Sequence, residues 1–306
     1  MAAGAEDTPL TDFLAPASAR FRPLDEATPG VRILAHLRRP GSRDLVCQTD
    51  MRSEIALLEA QGGQPPLFVS YYTPDTPYEA LANDLRASLD RFGLPHRIEP
   101  IASRGSWVAN TGIKARFVER VWAESDGPIC WIDADAAVLR PPGFVAGNPF
   151  DIAFVRRRGW EDLSGFLYLG KTEAAGKIVA EWSRLCGLYP QAWDQTMLSL
   201  AWYTVAKDHP VSSFWLNPEV FRFPRPAIRD LRDRLFYYPF RRKIRPFIDQ
   251  KQASRALKAF VNAASAPREE RGSDDLTEAF RRALSDYDFS FDARFETIFT
   301  GGSGRP

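Results

Sequence analysis

A single β-turn-α unit near residue 70 constrains this chain's fold more than any other feature. Leu67-Phe68-Val69-Ser70-Tyr71-Tyr72 is a short apolar and aromatic run suited to a buried strand, and Thr73-Pro74-Asp75 ends it. Thr76 can cap a following helix, Pro77 suits its first position and Glu79 completes a capping box. Leu81, Leu85, Leu89 and Phe92 then recur at helical spacing until Gly93. The same alternation continues downstream. His96–Ile101 reads as a strand, and Ile113, Phe117, Val118, Val121 and Trp122 mark the inner face of a helix. Ile129–Ile132, Asp151–Val155 and Phe166–Leu169 read as further strands. A helix capped by Thr172 runs to Gly187, and another starts near Asp194. Strands alternating with helices predict an α/β fold with a mostly parallel, Rossmann-like central sheet flanked by helices.

Composition sets the boundaries around this unit. Residues 1–30 are rich in Ala, Pro, Thr and Asp without periodicity, and read as a disordered leader. Residues 31–64 form an N-terminal extension that ends in Gln61-Gly62-Gly63-Gln64-Pro65-Pro66, and residues 65–222 the main domain. Residues 223–300 form a basic, aromatic C-terminal extension, read as largely helical, and 301–306 a disordered tail. No internal repeat or low-complexity tract interrupts the 306 residues.

Charge and cysteine usage exclude several functional classes. The 40 Lys and Arg nearly cancel the 39 Asp and Glu, so a net charge of +1 provides no global field for nucleic acid or an anionic membrane. Cys47, Cys130 and Cys186 are odd in number and lack CxxC spacing, which suggests neither a disulfide framework nor a zinc site. With no stretch of about 18 apolar residues and no signal-like start, the expectation is a soluble cytoplasmic protein without an integral membrane segment.

The chemistry concentrates at Asp133 and Asp135, which close the apolar run Ile129-Cys130-Trp131-Ile132. A D-x-D triplet arises by chance about once in a chain of this length, and Asp286-Tyr287-Asp288, with no buried strand before it, is treated as that chance copy. Asp133 and Asp135 differ in context. Two residues apart in extended backbone, their side chains point the same way and can reach one cation. Ligands of open α/β sheets bind beyond the carboxyl ends of strands. Carboxylate oxygens suit Mg²⁺ or Mn²⁺, which complete their coordination with phosphate oxygens and water, so the implied ligand is a diphosphate. The alternative is an Asp pair that merely caps a strand or turn.

From about Leu67 to Leu200 the chain resembles the nucleotide-diphospho-sugar transferases of the GT-A fold, and is distantly similar to the family 8 glycosyltransferases that include glycogenin. The matching pieces, in chain order, are Phe68-Val69-Ser70-Tyr71-Tyr72-Thr73, the helix bearing Lys114, Trp131-Ile132-Asp133-Ala134-Asp135, Ser164-Gly165-Phe166-Leu167-Tyr168, and Trp193-Asp194-Gln195. The resemblance implies a metal-dependent glycosyltransferase, with residues 65–222 as its nucleotide-sugar-binding catalytic domain. Ser70, Tyr71 and Thr73 would then contact the base and ribose, although Tyr71 equally suits a strand-filling aromatic. Lys114 would meet the donor's phosphates or sugar, or be an exposed helix lysine. Asp133 would serve both donor and metal, with Asp135 as the second ligand of Mn²⁺ or Mg²⁺. Ser164 and Gly165 would admit the donor close to the backbone, or form a plain strand-entry turn. Asp194 and Gln195 would be the catalytic pair, as sugar clamp or general base, with an N-cap role for Asp194 as the bland reading.

The resemblance departs at the third metal ligand. Family 8 enzymes commonly add a downstream histidine, and His209, in Lys207-Asp208-His209-Pro210, lacks that motif. The partners expected are a nucleotide-sugar donor and an acceptor left open among glycan, protein, small molecule and nucleic acid. Two other readings stand beside this one. Asp133-Ala134-Asp135-Ala136-Ala137-Val138 is superficially similar to the nucleophile motif of haloacid-dehalogenase phosphatases, but a complete βα unit precedes it. Between Arg222 and Lys258, about twelve basic residues face three acidic ones, with Phe236, Tyr237, Tyr238, Phe240 and Phe247 between them. That pattern suits a non-catalytic or nucleic-acid-binding protein on the same fold, or simply aromatics packed on the core.

Overall fold

The computed structural model describes residues 8–60, 62–104, 107–156, 162–190, 192–223 and 244–251, with single positions beyond. The chain opens with α1 (Thr8–Leu14), β1 (Phe21–Pro23), β2 (Ile33–Arg38), β3 (Leu45–Gln48) and α2 (Met51–Glu59). Next come β4 (Leu67–Tyr72), α3 (Pro77–Arg91), β5 (His96–Pro100), α4 (Trp107–Glu124) and β6 (Ile129–Ile132). They are followed by β7 (Ala136–Val138), β8 (Ile152–Arg156), β9 (Asp162–Leu169), α5 (Glu173–Leu188) and α6 (Asp194–Asp208). β10 (Val211–Trp215), β11 (Phe221–Arg222) and β12 (Ile248–Gln250) complete the described elements.

The strand–helix unit forms where the sequence predicts it. The Thr76 side chain accepts from the Tyr78 amide, and Gly93 takes φ +60° just past α3, a left-handed conformation that glycine adopts without penalty. Glu79 reaches back to the Asp75 amide rather than to that of Thr76, one residue beyond the reciprocal capping box.

Nine strands form one sheet in the order β1-β3-β2-β10-β8-β9-β6-β4-β5. The fold is α/β, with helices covering the sheet. Alternation along the strands divides the core in two. Val69 and Trp131 join Val118, Trp182 and Trp202 from α4, α5 and α6 on one face. Phe68, Cys130 and Ile132 join Leu14, Leu58 and Leu85 from α1, α2 and α3 on the other.

Strand direction is more mixed than the sequence suggests. β4 runs parallel to both β5 and β6, and β10 runs parallel to β8, but the other five pairings in this sheet are antiparallel. Three of those five come from residues 21–48, where a disordered leader and a separate extension were expected. The physical reason lies in β2. All six of its residues are buried, yet His36 and Arg38 hide it from a hydropathy reading. Arg38 donates to both Asp44 carboxylate oxygens, at 2.7 and 2.9 Å, and to the Ala206 carbonyl at 3.0 Å. His36 stacks on Trp215. An arginine paired with Asp44 and a histidine packed between tryptophans thus fill a core strand.

A second sheet, β11-β12-β7, joins the segment just after the D-x-D triplet to residues far downstream. β12 pairs antiparallel with β7, Gln250 facing Ala136 and Ile248 facing Val138. The expected boundary at 222/223 therefore falls inside a sheet. Most of the rest of the C-terminal extension, including most of its basic, aromatic segment, lies outside the described residues, as do Arg157 and Arg158. The Arg156 side chain is buried, paired with Asp162 at 3.0 Å and stacked over Trp202. No helix among the described residues is long and apolar enough to cross a membrane.

Candidate functional site

The buried strand β6 ends in a turn that presents the two aspartates. The Asp133 amide donates to the Gly165 carbonyl at 3.0 Å, and the Ala136 amide donates to the Asp133 carbonyl at 2.9 Å. Asp133 Oδ1 then accepts from Trp131 Nε1 at 2.9 Å. Trp131 is held in turn by the rings of Tyr71 and Phe117.

Lys114, reaching from α4, ties this carboxylate to a second one. Its Nζ lies 3.1 Å from Asp133 Oδ1 and 3.1 Å from Asp194 Oδ2, and donates to Ser164 Oγ at 3.1 Å and the Ser164 carbonyl at 3.3 Å. Ser164 Oγ donates to Asp194 Oδ2 at 2.7 Å. Burial alone lowers a lysine's pKa, but here the attraction of Asp133 and Asp194 outweighs it and carries Lys114 above its ordinary range. Lys114 is therefore a fixed cation. Asp194 occupies the first turn of α6, where a helix favours negative charge, and its carbonyl accepts from Trp182 Nε1 at 2.8 Å.

One cavity of about 270 Å³ gathers these groups. Of the ten residues singled out from sequence, Tyr71, Thr73, Lys114, Asp133, Asp135, Ser164, Gly165, Asp194 and Gln195 line it. Segments separated by up to 124 positions in the chain thus converge on one place. Ser70 is the exception. It is fully buried, and by the strand's alternation it points to the opposite face of the sheet from Tyr71. Tyr71 packs against Phe117 and Trp131 and donates its hydroxyl to the Asn110 carbonyl at 2.6 Å, while burial pushes its phenol pKa up. His209 lies at the far end of α6 from Asp194, about 20 Å away by helix rise, next to Lys177.

Sequence reasoning missed the cavity's aromatic wall, Tyr72, Tyr78, Phe221 and Phe223, and it missed Gln250. The first two sit beside residues already singled out, and Phe221 and Phe223 straddle the expected domain boundary. Gln250 carried no local signal, since Asp249 separates it from the short apolar pair Phe247-Ile248.

The donor set suits a hard divalent cation. Gln250 Nε2 donates to Asp133 Oδ2 at 3.3 Å and to Asp135 Oδ1 at 3.1 Å, so the two carboxylates converge on a single donor atom. Gly165 closes the cradle: a Cβ there would come within 3.1 Å of Asp133 Oδ2. Among the described residues, no group of three His, Cys, Asp or Glu side chains surrounds such a point. Asp133 and Asp135 could offer carboxylate oxygens to a hard divalent cation such as Mg²⁺ or Mn²⁺.

No protein-family model matches the chain, and no curated protein matches it in sequence. Solved structures similar to it include a glycosyltransferase involved in the glycosylation of the major capsid of PBCV-1. The two share 11% identity at a TM-score of 0.44, over 65% of this chain and 99% of that one. The apo-form glycosyltransferase GlyE of Streptococcus pneumoniae TIGR4 is similar at 14% identity and a TM-score of 0.40. There the match covers 72% of this chain and 64% of that structure, under two thirds of its length.

Proposed function

We propose that this protein is a GT-A-type glycosyltransferase that moves a sugar from a nucleoside-diphosphate donor to an acceptor hydroxyl with the help of Mn²⁺ or Mg²⁺. One observation carries the reading. Asp133 and Asp135 stand at the carboxyl end of a central strand, in the same cavity as the cationic Lys114 and the Asp194-Gln195 pair.

A cation held by Asp133 and Asp135 would neutralise charge on the departing diphosphate. The remaining work falls to the chain's own side chains. Lys114, kept protonated by its two carboxylate partners, supplies a second positive charge at the cavity wall. Asp194 has one oxygen committed to Lys114 and Ser164, which suits a group that orients sugar hydroxyls. Gln195 beside it can both donate and accept. Tyr72, Tyr78, Phe221 and Phe223 offer faces on which a base can stack. Ser164 holds Lys114 and Asp194 in register, so both keep their positions before the donor arrives.

The test is a hydrolysis and transfer screen across nucleotide sugars with Mn²⁺ or Mg²⁺. Turnover should appear with at least one donor, stop in chelator, and fall by about a hundredfold or more in Asp133→Asn. Full turnover by that variant, or in chelator, overturns the reading.

A further inference from the structure

Gln250 is the residue of this cavity that the donor-binding reading leaves unexplained. It is 7% exposed, and its Nε2 bridges Asp133 and Asp135 while its Oε1, also buried, has no hydrogen-bond partner among the described residues. A buried amide with one end satisfied and the other orphaned is costly, and such exceptions call for a cause.

The chemistry of the three side chains supplies one. Ionised carboxylates only accept hydrogen bonds, so without a cation the amide must turn its NH₂ end toward them. With a cation between the aspartates, the same amide has reason to turn its oxygen toward that point, because amide oxygens are good ligands for hard divalent ions. The backbone need not move. β12 is fixed by its ladder to β7, with Gln250 opposite Ala136, and only the terminal amide has to rotate. Asp133 divides its oxygens accordingly. Oδ1 is committed to Trp131 and Lys114, and Oδ2 faces the amide.

We propose that Gln250 is the third protein ligand of the divalent cation, and that its amide reverses between donor to the aspartates in the metal-free protein and oxygen ligand in the metal-bound one. The inference rests on the metal-dependent reading above, and it fills the position left open by His209, at the other end of α6. It also gives β12, a strand 110 residues beyond β7 in the sequence, a direct role in assembling the site.

The test titrates Mn²⁺ alone into the full chain, following free Mn²⁺ by its paramagnetic resonance signal and the thermal midpoint with and without the ion. Gln250→Ala should bind Mn²⁺ about tenfold or more weakly than the wild type. Gln250→Glu should melt below the wild type without metal, since three carboxylates then crowd one point, and should gain more than the wild type on Mn²⁺ addition. Wild-type affinity in Gln250→Ala, with binding lost in Asp133→Asn, overturns the role of Gln250 and leaves the metal-dependent reading standing. No Mn²⁺ binding by the wild type overturns both. Should Gln250→Ala not fold, Gln250→Glu decides alone: an Mn²⁺-induced rise no larger than the wild type's overturns the proposal.

Discussion

Lys114 separates two carboxylates that would otherwise face each other across a cavity wall, and its removal is the most direct probe of how the site is held. In Lys114→Met, Asp133 and Asp194 lose their common counter-charge while Asp194 stays buried. Breaking one side of such a network costs about 3 kcal/mol, to be read from urea unfolding, and adding Asp194→Asn should recover part of that loss. A null effect on the unfolding midpoint would mean that solvent already screens the pair. Gly165 gives a complementary test of crowding. An Ala Cβ would lie 3.1 Å from Asp133 Oδ2, closer than neighbours normally allow, and would touch both amide atoms of Gln250 at 3.4 Å. Gly165→Ala should leave the melting midpoint nearly unchanged but reduce turnover about tenfold or more, because a small displacement of a positioned carboxylate is felt in the rate. Lys114 and Asp133 were legible in the sequence because their motifs keep a chain order. Gln250 was not, because no local pattern marks a glutamine whose partners lie 115 and 117 residues earlier.

At the scale of elements, most strands and helices between Leu67 and Asp208 follow their local signals, although β7 was not anticipated and β9 begins at Asp162, four residues before Phe166. β6 occupies Ile129–Ile132, and α5 is capped by Thr172 through the Ala175 amide, both as the residues themselves indicate. What local signals could not convey is pairing. The direction of β8 against β9, and the partnership of β12 with β7, depend on which distant segments meet, and β12 is only three residues long. Its hold on the fold comes from Ile248, fully buried among the residues of the α3-side core, and from the ion pair between Arg222 and Asp249. Ile248→Ala should therefore cost about 2–4 kcal/mol in denaturant unfolding through the cavity it leaves. Because β12 also carries Gln250, the same variant should lose part of its Mn²⁺ affinity, whereas Arg222→Ala, an exposed pair, should change stability by less than about 1 kcal/mol. Equal effects of the two substitutions would argue that β12 is held by charge and not by burial.

For the whole molecule, the junction between the N-terminal strands and the rest of the sheet rests on a buried histidine. His36 on β2 packs between Trp202 of α6 and Trp215 of β10, with Asp44, Arg38 and Arg156 as the charged groups around it. Burial lowers its pKa below the ordinary 6.5, against the opposing pull of Asp44. The unfolded chain therefore takes up a proton that the folded chain resists. The associated stability is complete above pH 6.5 and is lost as pH falls from there toward the depressed folded value, by up to about 1.4 kcal/mol per pH unit. Asp44, whose pKa is also lowered, adds to the loss only below its ordinary 3.8. Lys114, raised above 10.5, contributes unchanged through the whole acid range. The thermal midpoint should accordingly begin to fall near pH 6.5, well before the carboxylates titrate, and His36→Gln should be less stable at pH 7.5 yet nearly flat between pH 6.5 and 5. A wild-type midpoint that stays level down to pH 5 would show that His36 is not the acid-sensitive joint between residues 21–48 and the sheet they complete.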